Sequence, residues 1–135
     1  GSINFVGIDD QAVKSWGKEH AESERDLLLA QPKGNFTVLL KHRPDIDPDS
    51  EGLFDLQLSG HTHKGQIFPF NLLTWFFYPQ RAGQLTRLDG GLLYLSCGTG
   101  TWGPPIRFLA TPEVTIIDLV PARQGTEKTA LPVSE

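Results

Sequence analysis

Leu56-Gln57-Leu58-Ser59-Gly60-His61-Thr62-His63-Lys64-Gly65-Gln66 is the stretch on which the reading of this chain turns. Apolar and polar residues alternate up to Gly60, which is the pattern of a strand. Two histidines two apart then stand just beyond the expected strand end, with a second glycine behind them. Neutral imidazole is a good ligand for divalent transition metals. If the backbone stays extended there, residues i and i+2 project to the same side, and His61 and His63 would serve one metal cluster. The bland alternative puts both in a polar surface loop.

On the N-terminal side, Phe36-Thr37-Val38-Leu39-Leu40-Lys41 is a second strand candidate that delivers His42 to its far end, ahead of Arg43-Pro44. Three of the four histidines then stand at two strand ends, which makes a ligand set plausible. Ile3-Asn4-Phe5-Val6-Gly7-Ile8 reads as a third strand, ending at Asp9-Asp10. Residues 11–31 are mostly helix-compatible and predict one or two helices broken near Gly17, with Ser23-Glu24-Arg25-Asp26 leading into Leu27-Leu28-Leu29. Pro32-Lys33-Gly34 stops that run. His20, beside Glu19 and Glu22, belongs to a solvated helix face. Residues 45–52 invite a calcium-loop reading, but Ser50 stands where glycine is needed and Leu56 where glutamate is needed, leaving an acidic turn.

On the C-terminal side, residues 67–79 carry much of the aromatic content and are too few to span a bilayer. They predict a loop or short helix folded onto its own core; the alternative is an apolar wall beside the metal site, meeting a lipid-like substrate or a membrane interface. Residues 83–96 read as a hairpin around Asp89-Gly90-Gly91. Gly98-Thr99-Gly100-Thr101-Trp102-Gly103 has the spacing of a dinucleotide fingerprint, but it meets Pro104-Pro105 instead of opening a helix. Its glycines are expected to let the backbone pass close to the metal site. Residues 112–120 predict a final strand, and residues 121–135, without apolar periodicity, a disordered tail.

At 135 residues and 39% hydrophobic content, the chain is long enough for one domain with its own core. A net charge of -4 without a Lys/Arg cluster makes nucleic acid an unlikely partner on electrostatic grounds. Cys97 is the single cysteine, so neither an intrachain disulfide nor a cysteine-based zinc site can form. No signal peptide or spanning helix is visible in these residues.

Gly7-Ile8-Asp9-Asp10, Leu39-Leu40-Lys41-His42-Arg43-Pro44-Asp45, the Ser59 to Gln66 segment and Gly98-Thr99-Gly100-Thr101-Trp102-Gly103-Pro104-Pro105-Ile106-Arg107 occur in one order. In that order they resemble the calcineurin-like metallophosphoesterases, specifically their bacterial membrane-associated branch, over residues 3 to 119. The family's earlier motifs, Asp-x-His, Gly-Asp and Gly-Asn-His, are absent here, so the resemblance implies the C-terminal half of such a domain over residues 1–120. The implied fold is α/β, half of a two-sheet sandwich flanked by helices, with mostly β-strands in this part.

The implied chemistry is hydrolysis of phosphomono- or phosphodiesters at two divalent metal ions (Mn, Zn, Fe or Mg) bridged by a carboxylate, about 3.5–4 Å apart. Carried over by motif, His42 and His61 would bind the second metal and His63 the first. Lys64 and Arg107 are candidate substrate-binding residues, although Lys64 stands where this branch usually has glycine. The bridging aspartate, the remaining ligands and the histidine that protonates the leaving group would lie in the N-terminal half, so the chain alone is expected to be inactive and to hold metal partially or not at all. Implied partners are a phosphoester, including a lipid-like one, the N-terminal half itself, a membrane surface, and a second copy covering an exposed apolar face. The implied setting is bacterial, cytoplasmic or membrane-associated. Two further readings stay open: a freestanding three-histidine metal hydrolase, and a non-catalytic module that binds a partner through its aromatic stretch.

Overall fold

The structure, a computed structural model, describes residues 1–10, 22–78 and 80–121. Five strands form one sheet: β1 (Ile3–Ile8), β2 (Phe36–Lys41), β3 (Leu56–Ser59), β4 (Gln84–Arg87) and β5 (Leu92–Leu95). Their order is β1-β2-β3-β5-β4. The first four neighbours run parallel, and β4 returns antiparallel along β5 as the expected hairpin. Parallel neighbours need crossovers, and among the described residues these contain α1 (Glu24–Leu29), a 3-10 turn at Pro48–Ser50, another at His63–Gly65, and α2 (Phe70–Phe77). The architecture is α/β and mostly β, as the sequence predicts.

Register divides the sheet into two faces. Val6, Leu39, Gln57 and Leu93 lie in line across β1, β2, β3 and β5, on the face that α1 covers with Leu28. Val6, Leu28, Leu39 and Phe54 make the core there. The polar Gln57 is buried among them; its amide nitrogen donates to Ser59 Oγ at 3.0 Å, while its Oε1 has no partner. α1 starts where a side-chain cap is available, with Ser23 Oγ accepting from the Asp26 N–H at 3.1 Å. Lys41 pins the helix to the sheet through Glu24 and Asp45, both at 2.9 Å. Burial works against its charge, but the two carboxylates more than offset this and raise its pKa.

The opposite face is also apolar, and much of it is open. Phe5 is 64% exposed, and Ile3, Leu40 and Leu85 are exposed beside it. One layer of a two-sheet sandwich presents such a surface to the other layer.

The hairpin closes tightly. A Cβ at Gly91 would sit 2.8 Å from the Phe54 carbonyl oxygen and 3.5 Å from that of Asp55. Only glycine fits beneath that backbone. Gly91→Ala is therefore expected to destabilise the chain by about 1–3 kcal/mol through forced backbone displacement, read as a lower urea midpoint at unchanged m. An unchanged midpoint would mean that the turn repacks freely.

Three expectations are corrected. Residues 112–120 form no strand; Val114, Ile116 and Val120 are exposed, and among the described residues no strand offers them a ladder. α2 does form, but among its described side chains Leu72, Leu73, Phe76 and Phe77 are exposed and not folded onto a core. Gly98, Gly100 and Gly103 have nothing within 4 Å of an added Cβ, and Gly98 and Gly103 instead take positive φ, so those two serve turns and not a close approach. The predicted helix break near Gly17, His20 and the tail 122–135 lie outside the described residues.

A candidate metal centre at the carboxyl edge

Since β1, β2, β3 and β5 are parallel, their carboxyl ends share one edge of the sheet. Asp10 follows β1, His42 follows β2, and His61 lies just past β3. The Gly60 N–H donates to the His42 carbonyl at 3.1 Å, tying the second and third strand ends together. His61 Nδ1 then stands 3.0 Å from His42 Nε2, with the rings edge to face. Metal–nitrogen bonds of about 2.0–2.1 Å separate two ligand nitrogens by roughly 2.9 Å at a right angle and 3.3 Å at the tetrahedral angle. The two rings share a hydrogen bond here, and its length falls within the spacing of two ligands to one ion.

The segment that carries His61 and His63 is not extended. His61, His63, Lys64 and Gln66 all have positive φ, from 46° to 69°. Left-handed backbone costs an L-residue roughly 1–2 kcal/mol, and here four residues within six adopt it. The strand-alternation argument for His61 and His63 therefore fails, and a strained turn brings both to the same cleft. That cleft holds about 940 Å³. Asp10, His42, Arg43, His61 and His63 line its polar side, and Ile67, Leu73, Trp102 and Pro104 its apolar side.

His63 Nδ1 is buried and has no hydrogen-bond partner. It is one of six such side-chain atoms among the described residues, and the one that belongs to a candidate metal ligand. The pKa of His61 is lowered, chiefly by burial and then by the neighbouring His42, which favours the neutral imidazole that a metal requires. Donor chemistry and spacing fit divalent metal. Among the described residues, however, no three His, Cys, Asp or Glu side chains close on a single ion. That geometry gives no support to a freestanding three-histidine mononuclear site.

Lys64 and Arg107 are not among the residues that line this cleft. Lys64 is exposed and lines a separate depression of about 330 Å³ beside Tyr78 and Arg81. Arg107 commits its guanidinium to backbone: Nε donates to Ala110 O (2.6 Å), Nη1 to Gly98 O (3.2 Å) and Gly100 O (2.5 Å), and Nη2 to His63 O (3.2 Å) and Cys97 O (2.9 Å). A guanidinium has five N–H donors, and five carbonyls use them. Arg107 is a clasp joining the glycine loop to His63.

Two residues of the cleft were missed. Asp10 Oδ2 lies 3.8 Å from His42 Nε2 and 3.3 Å from Arg43 Nε, so a carboxylate and a guanidinium flank the imidazoles. Asp10 holds the Arg43 pKa up. The available signal was positional, since ligands of open α/β sheets gather at the carboxyl ends of the strands, where Asp10 and Arg43 also stand.

A mostly parallel sheet with three histidines lining one cleft at its carboxyl edge defines an α/β protein whose candidate site lies at its strand ends. The chain is 36% identical over 127 residues to an uncharacterized metallophosphoesterase of Helicobacter pylori strain J99, covering 93% of this chain and 34% of that protein. It is 42% identical over 125 residues to one of Campylobacter jejuni, covering 88% and 32% respectively. A transmembrane protein with metallophosphoesterase domain from Danio rerio is 36% identical over 93 residues, covering 69% of this chain and 20% of that protein. No family model matches the chain, and no solved structure matches it. The chain belongs to the metallophosphoesterase family. It spans about a third of the length of these bacterial relatives.

Proposed function

We propose that this chain supplies the histidine side of a dinuclear metal centre that hydrolyses phosphate esters, and that it is the C-terminal half of the domain that does so. The observation that carries the reading is the 3.0 Å approach of His61 Nδ1 to His42 Nε2 in one cleft with the unpartnered His63 Nδ1. His42 and His61 would hold one ion, and His63 would belong to the other. When bound, such ions polarise phosphoryl oxygens and make water a better nucleophile at neutral pH.

The chain's own groups orient the reactants. Arg43 brings a fixed positive charge to the polar wall, suited to a phosphate, with Asp10 holding the guanidinium in place. Arg107 holds the His63 carbonyl and with it the imidazole's turn. Hydrolysis forms a P–O bond from water and breaks the P–O bond to the alcohol, which departs with one of the water's protons. The proton donor is expected in sequence outside this chain.

Metal analysis tests this reading directly. The natural full-length protein, purified with manganese or zinc, is expected to retain two ions per chain by elemental analysis, and His42→Ala and His63→Ala are each expected to lower this. Full retention of both ions in both variants would sink the ligand assignment.

A further inference from the structure

We propose that the substrate of this cleft is an amphiphilic phosphoester, bound with its phosphate at the histidines and a long apolar chain along Leu73 and Trp102. The inference rests on the phosphoesterase reading above and specifies its substrate class. A phosphoryl group alone leaves most of a cleft of about 940 Å³ unfilled.

The apolar side of the cleft is built and held. Trp102 is 80% exposed, yet its backbone is clamped by the side chain of Gln66, itself only 8% exposed. Gln66 Oε1 accepts from the Trp102 N–H at 2.5 Å, and Gln66 Nε2 donates to the carbonyls of Trp102 and Pro104 at 2.8 and 3.1 Å. A buried glutamine thus fixes an indole that packs against little of its own protein. α2 is likewise fixed at the site, because Tyr78 at its end meets the His61 ring edge to face at 5.8 Å.

From Leu73, which lines the cleft, the apolar surface continues over Leu72, Phe76 and Phe77. From Leu72 to Phe77 the helix rises by about 7.5 Å, the reach of roughly six methylenes.

Charge decides between an apolar substrate and a membrane surface. Helices that lie in a bilayer interface carry Lys and Arg on their polar face, whereas α2, Phe-Asn-Leu-Leu-Thr-Trp-Phe-Phe, carries no charge. The chain as a whole is negative, at -4. An anionic bilayer gains no electrostatic attraction from such a surface, whereas a single apolar chain gains about fourfold in affinity for each buried methylene.

The test uses the natural full-length protein with manganese and two diesters that share a leaving group, methyl 4-nitrophenyl phosphate and dodecyl 4-nitrophenyl phosphate, below the micellar concentration. The dodecyl ester is expected to have at least a tenfold higher kcat/KM. Trp102→Ala and Leu73→Ser are each expected to lower the dodecyl-to-methyl ratio about fivefold, mainly through KM. Independently of turnover, dodecyl phosphate is expected to shift tryptophan emission to the blue in the wild type and not in Trp102→Phe, with inorganic phosphate shifting neither.

Hydrolysis of both esters at equal kcat/KM, with no emission shift, would overturn the inference and leave the phosphoesterase reading standing. Hydrolysis of neither ester would overturn that reading, and the emission shift would still decide whether the wall takes an apolar chain. A shift produced by phosphatidylcholine vesicles and not by dodecyl phosphate would identify the wall as a membrane contact and overturn the proposal.

Discussion

His61→Ala in the natural full-length protein is expected to lower hydrolysis of bis-p-nitrophenyl phosphate by more than about 100-fold, because loss of a residue that merely supports a ligand already costs 10–100-fold in metal affinity or activity. His61 faces His42 at 3.0 Å, and removing its imidazole leaves that ion with one of the two nitrogens this chain offers it. The isolated 135-residue chain is expected to hydrolyse the same ester no faster than buffer with added manganese. On the proposed assignment three imidazoles divided two to one leave each ion short of ligands, and the carboxylate beside them, Asp10, is engaged with Arg43. A site so composed should bind metal weakly and position no nucleophile. Robust hydrolysis by the isolated chain that disappears in His63→Ala would refute this and restore the freestanding-hydrolase reading.

The sheet was legible because its strands announce themselves locally. Phe36 to Lys41 and Leu92 to Leu95 are short, apolar and bounded by turn residues, and Asp89-Gly90-Gly91 fixes a hairpin. The gathering of His42, His61 and His63 at one cleft followed from strand ends sharing an edge. The route to it was not legible, since nothing in local propensity places His61, His63, Lys64 and Gln66 at positive φ. Such strain persists only where tertiary contacts over-determine the backbone, and those contacts come from residues 36 or more positions away, through Gln66 and Arg107. Residues 112–120 failed for the complementary reason. Their β-branched pattern is that of a strand, but a strand forms only against a neighbour, and the described residues offer it none.

Arg107 shows how far a motif residue's role depends on surroundings that the sequence does not display. As a lone arginine in a glycine- and proline-rich loop it suits a phosphate; with five carbonyls around it, it closes the loop from Cys97 to Ala110 on itself and on the turn at His63. Arg107→Ala is expected to destabilise the chain by about 2–4 kcal/mol, because hydrogen bonds to a charged donor contribute about 1.5–3 kcal/mol each and are not additive. It is also expected to speed amide exchange between residues 97 and 110 and to weaken metal retention through the freed His63 turn. Arg107→Lys should recover little of this, since three rotating donors on a point charge cannot serve five carbonyls arranged around a planar fork. Chemical denaturation and hydrogen exchange of the wild type and both variants, measured with and without manganese, separate this role from a phosphate contact. If Arg107→Ala leaves the unfolding midpoint and the exchange of residues 97–110 unchanged while raising KM alone, the guanidinium touches substrate and the clasp is refuted.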